Sequence, residues 1–222
     1  MVKISPRINS RHILLHLSYS RFHVLSSFCA ISLAEALAHS TMVGSNSLRI
    51  PSIVHIMSDR ATSLEFPLPM PDDTDRLATC VANIIRETRD LWVNFGLVLA
   101  FDGDLGAGKT TFARAMLRAW GFAGAVKSPT FSLVETYPIL GVTMNHFDFY
   151  RFETPYEFDD AGFRDLFGAG QICVTEWTEK AQPFVPQSDI ELRLTIDGLG
   201  RIAELEALSS LGETLLKKLG EQ

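Results

Sequence analysis

Eight consecutive residues, Gly103-Asp104-Leu105-Gly106-Ala107-Gly108-Lys109-Thr110, follow the pattern G-x-x-x-x-G-K-[ST], and Thr111 continues the polar run. The spacing carries chemistry. Gly103, Gly106 and Gly108 permit backbone turns that a side chain would block, so that successive N–H groups can face phosphate oxygens. Lys109 is then placed to reach β- and γ-phosphates, and the Thr110 hydroxyl to ligate Mg²⁺. A Mg-nucleotide site needs further oxygen ligands, because the metal is hard. Two acids stand out. Glu176 follows the apolar stretch Ile172-Cys173-Val174, which predicts a strand ending at that carboxylate. Asp148 lies in the aromatic-rich stretch 143–151, where a carboxylate is costly to bury unless it is paired or metal-bound. The bland alternative for Asp148 is an ion pair with Arg151 or His146; for Glu176 it is a solvated strand end. Lys127-Ser128-Pro129-Thr130 sits where a segment sensing the γ-phosphate would, although such a stretch is also an ordinary turn.

The elements that must position these residues are legible around them. Leu97 to Phe101 is an apolar run suited to a buried strand, and Phe112, Ala113, Met116, Leu117 and Trp120 recur at helical spacing up to Gly121. Strand, glycine loop and helix therefore occur in the order that sets phosphates on a helix N-terminus. Upstream, Pro67, Pro69 and Pro71 predict an extended lead-in. Asp72, Asp73 and Thr74 are N-cap candidates for a helix with Leu77, Val81, Ile84, Ile85 and Thr88 on one face. Downstream, strands are predicted from Phe131 to Tyr137, with a turn at Pro138 and Gly141, and from Thr143 to Arg151. The second alternates Met144, His146 and Asp148 against Asn145, Phe147 and Phe149. Thr154-Pro155 opens a predicted helix running to about Phe167, and Ile190 to Ile196 with Ile202 to Leu208 predict a hairpin about Asp197-Gly198. A short helix over 212–219 closes the chain. Alternating strands and helices predict an α/β, P-loop NTPase-like three-layer fold with a mixed, mostly parallel central sheet.

Charge divides the chain. Residues 1–56 hold Lys3, Arg7, Arg11, Arg21 and Arg49 against Glu35 alone, and the whole chain is at −6, so residues 57–222 carry −10. An acidic body argues against a direct grip on nucleic-acid phosphates. The first 56 residues also hold five of the six histidines. With apolar residues from Val24 to Ala38 and an A-x-A triplet at Ala36-Leu37-Ala38, they fit a signal peptide, an organellar presequence, or an extension upstream of a start at Met42 or Met57. The last reading is preferred. A secreted Mg-ATP-dependent domain would lack its nucleotide, and Ser26, Ser27 and Ser32 interrupt the apolar stretch. Residues 1–56 are expected to be a disordered extension and 57–222 a single domain. No run reaches the ~18 apolar residues of a membrane helix. Cys29, Cys80 and Cys173 lack ligand spacing, which predicts free thiols in a reducing, cytoplasmic setting and no zinc site.

Four segments together resemble the bacterial TsaE (YjeE) family, the small ATPase of tRNA threonylcarbamoyladenosine biosynthesis. They are Gly103 to Thr111, Lys127 to Phe131, His146-Phe147-Asp148-Phe149-Tyr150-Arg151, and Val174-Thr175-Glu176-Trp177, in a stretch of similarity over roughly 64–208. The loop is common to many ATPases, so the other three segments carry the specificity. The resemblance implies that Gly103 to Thr111 hold the triphosphate of ATP, that Thr110 and Glu176 ligate Mg²⁺, and that Asp148 is the Walker-B-like acid. It also implies that Thr74 lies near the adenine and that Trp177 follows the metal glutamate. It implies TsaB and TsaD as partners: TsaD transfers the threonylcarbamoyl group to adenosine 37 of tRNAs reading ANN codons, and ATP hydrolysis resets the complex without making the modification. No arginine finger is assigned, with Arg151 and Arg164 as candidates. Rival readings are a P-loop small-molecule kinase, which would need an acceptor pocket and an arginine-bearing lid, and a nucleotide-gated binding module with negligible catalysis. A GTPase is disfavoured: Asp159 to Gly162 fits D-x-x-G inside a predicted helix, but no N-K-x-D stretch exists.

Overall fold

The computed structural model describes residues 54–58, 61–139 and 141–222. The expectations for residues 1–53, Cys29 among them, lie outside these. Among the described residues thirteen strands and α-helices follow one another: β1 (Val54–Ser58), β2 (Ala61–Leu68), α1 (Pro71–Glu87), α2 (Arg89–Trp92), β3 (Leu97–Asp102), α3 (Lys109–Ala119), β4 (Val134–Ile139), β5 (Val142–Asp148), α4 (Glu157–Asp160), β6 (Gln171–Glu176), β7 (Ile190–Asp197), β8 (Gly200–Ala207) and α5 (Ser210–Gly220). The boundary expected between residues 56 and 57 falls inside β1, which pairs antiparallel with β2 from Val54↔Glu65 to Ser58↔Ala61.

One eight-stranded sheet runs in the order β1-β2-β8-β7-β3-β6-β5-β4. Its centre is parallel, β7 on β3, β3 on β6 and β6 on β5, while hairpins add antiparallel strands at both sides. The expected mixed sheet with a parallel middle is what forms. Central strands covered on both faces explain the unbroken apolar reading of Leu97 to Phe101.

Each face has its own core. One gathers α1, α3 and α5 residues such as Leu77, Ile85, Phe112, Met116 and Leu216 against Leu99, Phe101 and Met144. The other is aromatic, with Phe147, Phe149, Phe152, Phe158 and Phe163 about Val98 and Cys173. The alternation of β5 is thus divided between two cores, and each fully buried Phe contributes roughly 1.5–3 kcal/mol. Trp92 and Trp120 tie α1 into place through their ring N–H groups, which donate to the carbonyls of Ile85 at 2.8 Å and Ala82 at 2.9 Å. Cys80 and Cys173 are free and buried. Among the described residues no helix is long and apolar enough to cross a membrane.

Four local expectations are corrected. The lead-in at Pro67 is the end of β2, paired with β8 through Pro67↔Ile202 and Leu68↔Arg201. The N-cap of α1 is Met70, and Asp73 acts from the first turn by accepting the Met70 N–H at 2.8 Å. The strand expected from Phe131 starts at Val134 after Leu133 turns at a φ of 64°, and it runs through Pro138 on the sheet edge. The helix expected to reach Phe167 is broken: α4 stops at Asp160, Gly162 takes a φ of 69°, and a 3₁₀ turn follows over Phe163–Leu166. The break lets Phe158 and Phe163 both enter the aromatic core, with ring centroids 6.1 Å apart.

Candidate functional site

β3 delivers Asp102 to the carboxyl edge of the sheet, and the glycine loop turns there into α3. Gly103, Gly106 and Gly108 have φ values of 135°, 83° and 113°. At Gly103 space is also limiting, since a Cβ would stand 2.4 Å from the Leu194 carbonyl oxygen of β7. Ala107 points inward and closes the turn with its N–H on the Asp104 carbonyl at 3.0 Å, whereas Leu105 stays exposed. The eleven-residue α3 starts at Lys109 and carries no acid in its first turn, which leaves the positive end of its dipole uncancelled.

Lys109 is buried, with Nζ donating to the carbonyls of Gly103 and Asp104 and lying 4.7 Å from the centroid of the Trp177 ring. Carbonyls are weaker acceptors than anionic oxygens, so this ammonium is held in place and still available to a phosphate. Trp177 reaches it because the residue after β6 adopts a φ of 58°, a left-handed conformation that costs a non-glycine about 1–2 kcal/mol.

Asp148 and Glu176 are the last residues of adjacent parallel strands and stand directly in register. Both are almost fully buried. The Thr110 hydroxyl donates to Glu176 Oε1 at 3.0 Å, joining the loop to β6. His146 Nε2 lies 2.8 Å from the same oxygen. Asp148 Oδ2 accepts from the hydroxyls of Thr130 at 2.5 Å and Ser128 at 3.3 Å, and Oδ1 accepts the Tyr150 N–H at 2.9 Å. The expected alternative partners of Asp148 are otherwise engaged: His146 pairs with Glu176, and the Arg151 guanidinium lies 4.2 Å from the Phe131 ring centroid. Arg164 binds Asp159 and the Phe184 carbonyl.

The sequence-derived residues Gly103 to Thr111, Asp148 and Glu176 therefore meet at one edge, and Thr130 and Ser128 join them. Thr74 is buried in the first turn of α1, and among the described residues it makes no hydrogen bond to the loop. Two contributors were not foreseen. Arg201 of β8 donates Nε–H to the Ala107 carbonyl at 2.6 Å and approaches the Gly106 carbonyl through Nη2 at 3.4 Å, a contact across 94 positions that local spacing does not signal. His146 belongs to a quoted segment, and its position two residues before Asp148 on the same strand face was the available signal.

The donor set suits Mg²⁺. A hydroxyl and carboxylates are hard oxygen ligands, and Glu176 Oε2 accepts no hydrogen bond among the described residues. Among those residues no three His, Cys, Asp or Glu side chains converge as a metal cluster. Mg²⁺ needs none, being held commonly by one or two carboxylates with waters and phosphate oxygens.

Comparison with known proteins follows the same lines. A family model described as threonylcarbamoyl adenosine biosynthesis protein TsaE matches residues 68–202. The tRNA threonylcarbamoyladenosine biosynthesis protein TsaE of Haemophilus influenzae is 43% identical over 120 residues, covering 54% of this chain and 76% of that protein. The protein of that name from Bacillus subtilis is 31% identical over 122 residues, 55% of this chain and 71% of its own length. That from Treponema pallidum is 33% identical over 129 residues, 57% and 88%. The crystal structure of Bacillus subtilis YdiB superposes with a TM-score of 0.56 at 23% identity, covering 74% of this chain and 98% of that one, and so shares the fold. The family model spans more than half of the chain and these relatives are matched over more than two thirds of their length, so the chain belongs to the TsaE family.

Proposed function

We propose that this protein is a Mg-dependent ATPase that serves threonylcarbamoylation of adenosine 37 in tRNAs reading ANN codons, acting on a TsaB–TsaD complex in the cytoplasm without itself transferring the threonylcarbamoyl group. The observation that carries this reading is the convergence of Thr110, Glu176 and Asp148 beside a glycine loop that opens α3. The names of the similar proteins supply the pathway. In this reading the loop amides and Lys109 hold the β- and γ-phosphates. Thr110 and Glu176 hold Mg²⁺, which would neutralise charge on the phosphate oxygens. Asp148 orients the attacking water or supports the metal's surroundings. Phosphoryl transfer asks mainly for positioning and charge neutralisation, and these groups supply both. The acidic net charge of −6 leaves the tRNA to the partners.

ATP turnover measured with and without a TsaB–TsaD complex tests the proposal. Slow basal hydrolysis accelerated by the complex is the expected result. Turnover that depends on a small-molecule acceptor, or no turnover under either condition, overturns it. Lys109→Ala is expected to weaken ATP binding by up to ~100-fold, the loss of a charge-assisted contact worth up to about 3 kcal/mol.

A further inference from the structure

His146 is fully buried, yet its two ring nitrogens meet different surroundings. Nε2 lies 2.8 Å from Glu176 Oε1, whereas Nδ1 is buried and has no hydrogen-bond partner among the described residues. An ionised carboxylate can only accept, so Nε2 is the donor of this pair. Placing a polar ring in the sheet with one nitrogen orphaned is costly. If packing were the whole purpose, an apolar side chain beside Met144, which occupies the same face of β5, would serve better.

The other hydrogen bond to that oxygen shows what the arrangement achieves. Glu176 Oε1 also accepts from the Thr110 hydroxyl at 3.0 Å, so two donors, one from β5 and one from α3, fix a single carboxylate oxygen. Oε2 accepts no hydrogen bond among the described residues. His146 is placed by the sheet: its strand is in register with β6 through His146↔Val174, two pairs before Asp148↔Glu176. Thr110 stands in the first turn of α3, at the end that receives the nucleotide in the proposed function.

We infer that His146 is the positioning residue of the metal carboxylate. Its Nε2–H anchors Glu176 Oε1, holds the carboxylate in one rotamer, and leaves Oε2 as the oxygen presented to Mg²⁺ when Thr110 turns to its own ligand role. This deepens the proposed function and rests on it. The ring is fully buried with Glu176 as its only side-chain hydrogen-bond partner among the described residues, and acts through it. Outer-shell partners of this kind commonly change metal affinity 10–100-fold.

The test is a Mg²⁺ titration of nucleotide binding, read by a fluorescent ATP analogue, on the full chain and on His146→Leu, His146→Gln and His146→Asn, with binding in EDTA and thermal melting alongside. His146→Leu is expected to raise the Mg²⁺ midpoint about tenfold and to change affinity in EDTA less than about twofold. His146→Gln, whose amide can take the place of Nε2, should restore the midpoint to within about threefold; His146→Asn, whose amide falls short, should not. An unchanged midpoint in folded His146→Leu, or equal midpoints for the Gln and Asn substitutions, overturns the role. If His146→Leu fails to fold, the Gln–Asn comparison decides. A measurement on the unmodified protein stands apart from all variants: ¹⁵N shifts of the imidazole should show the hydrogen on Nε2, and an Nδ1–H tautomer overturns the proposal. An unmodified protein whose nucleotide affinity ignores Mg²⁺ overturns the metal reading itself, whereas normal Mg²⁺ dependence shared by His146→Leu overturns only the role of His146.

Discussion

Arg201 holds the glycine loop from outside, its Nε–H donating to the Ala107 carbonyl at 2.6 Å. In a trans peptide the C=O and N–H point opposite ways, so fixing the Ala107 carbonyl on β8 turns the Gly108 N–H away from Arg201. The clamp thus sets the direction of an amide at the start of α3 without any contact to a ligand. Arg201→Ala is expected to weaken ATP binding about tenfold, because one charge-assisted hydrogen bond contributes roughly 1.5–3 kcal/mol and partial exposure keeps it at the low end. Calorimetric titration checks it, and an unchanged dissociation constant would sink the clamp.

The three loop glycines are not equivalent. A Cβ at Gly103 would meet the Leu194 carbonyl oxygen at 2.4 Å, while at Gly106 it would find nothing within 4 Å. Both have positive φ. Gly106→Ala therefore incurs only the conformational penalty, about 1–2 kcal/mol. Gly103→Ala adds overlap with the backbone of a central strand and should lose about 2–4 kcal/mol. Urea denaturation of the two variants separates them; equal midpoints would show that the loop moves away from β7 at no cost.

What could be read in advance was what is local. The glycine loop, the apolar run of β3 and the strand end at Glu176 each announce themselves within a few residues. The segment 61–68 hid its alternation, Leu64, Phe66 and Leu68, behind Pro67, because a proline usually demotes a strand and the pairing with β8 is a property of the sheet. The helix drawn through Gly162 failed for a related reason: the burial of Phe158 and Phe163 in one aromatic core outweighs helical continuity there. The site was legible as a set of acids and a lysine, but its wiring was not. Arg201 meets the loop across 94 positions, and His146 chooses Glu176 over Asp148, relations that exist only once β8, β5 and β6 are side by side.

Cys173 should be inert in the folded protein. It is buried, its thiol donates to the Leu166 carbonyl at 3.2 Å, and burial pushes it up to about 12 from an ordinary 9.0. Only the thiolate reacts, and at pH 8 the folded thiolate fraction is on the order of one in ten thousand. The sign for stability follows from the raised value. Below pH 9 the thiol is intact in both states; above it the unfolded chain ionises first, so this group's contribution is lost as pH rises toward 12. Iodoacetamide followed by peptide mass spectrometry should show Cys173 unmodified at pH 8 in buffer and fully modified in denaturant. Labelling of the native protein at the rate of a free thiol would contradict the burial.

Asp148 ties the segment 128–130 to the end of β5 through the Thr130 and Ser128 hydroxyls, both on Oδ2, while the Tyr150 N–H holds Oδ1. The carboxylate is engaged at both oxygens by neutral donors and stands directly in register with Glu176. Asp148→Asn preserves the shape but removes that charge and substitutes a donor for one acceptor. Turnover should fall about 100-fold while ATP affinity changes less than about threefold, the pattern of a group that acts mainly in the transition state. Thr130→Val removes the hydroxyl's bonds to Ser128 and to the Asp148 carboxylate, the latter worth about 1.5–3 kcal/mol, and should loosen the segment more than it slows the chemistry. Hydrogen exchange at 128–133 would rise, and turnover would fall less than about tenfold. If Thr130→Val slowed turnover as much as Asp148→Asn, the carboxylate would be acting by holding the segment, and its charge would not be what hydrolysis requires.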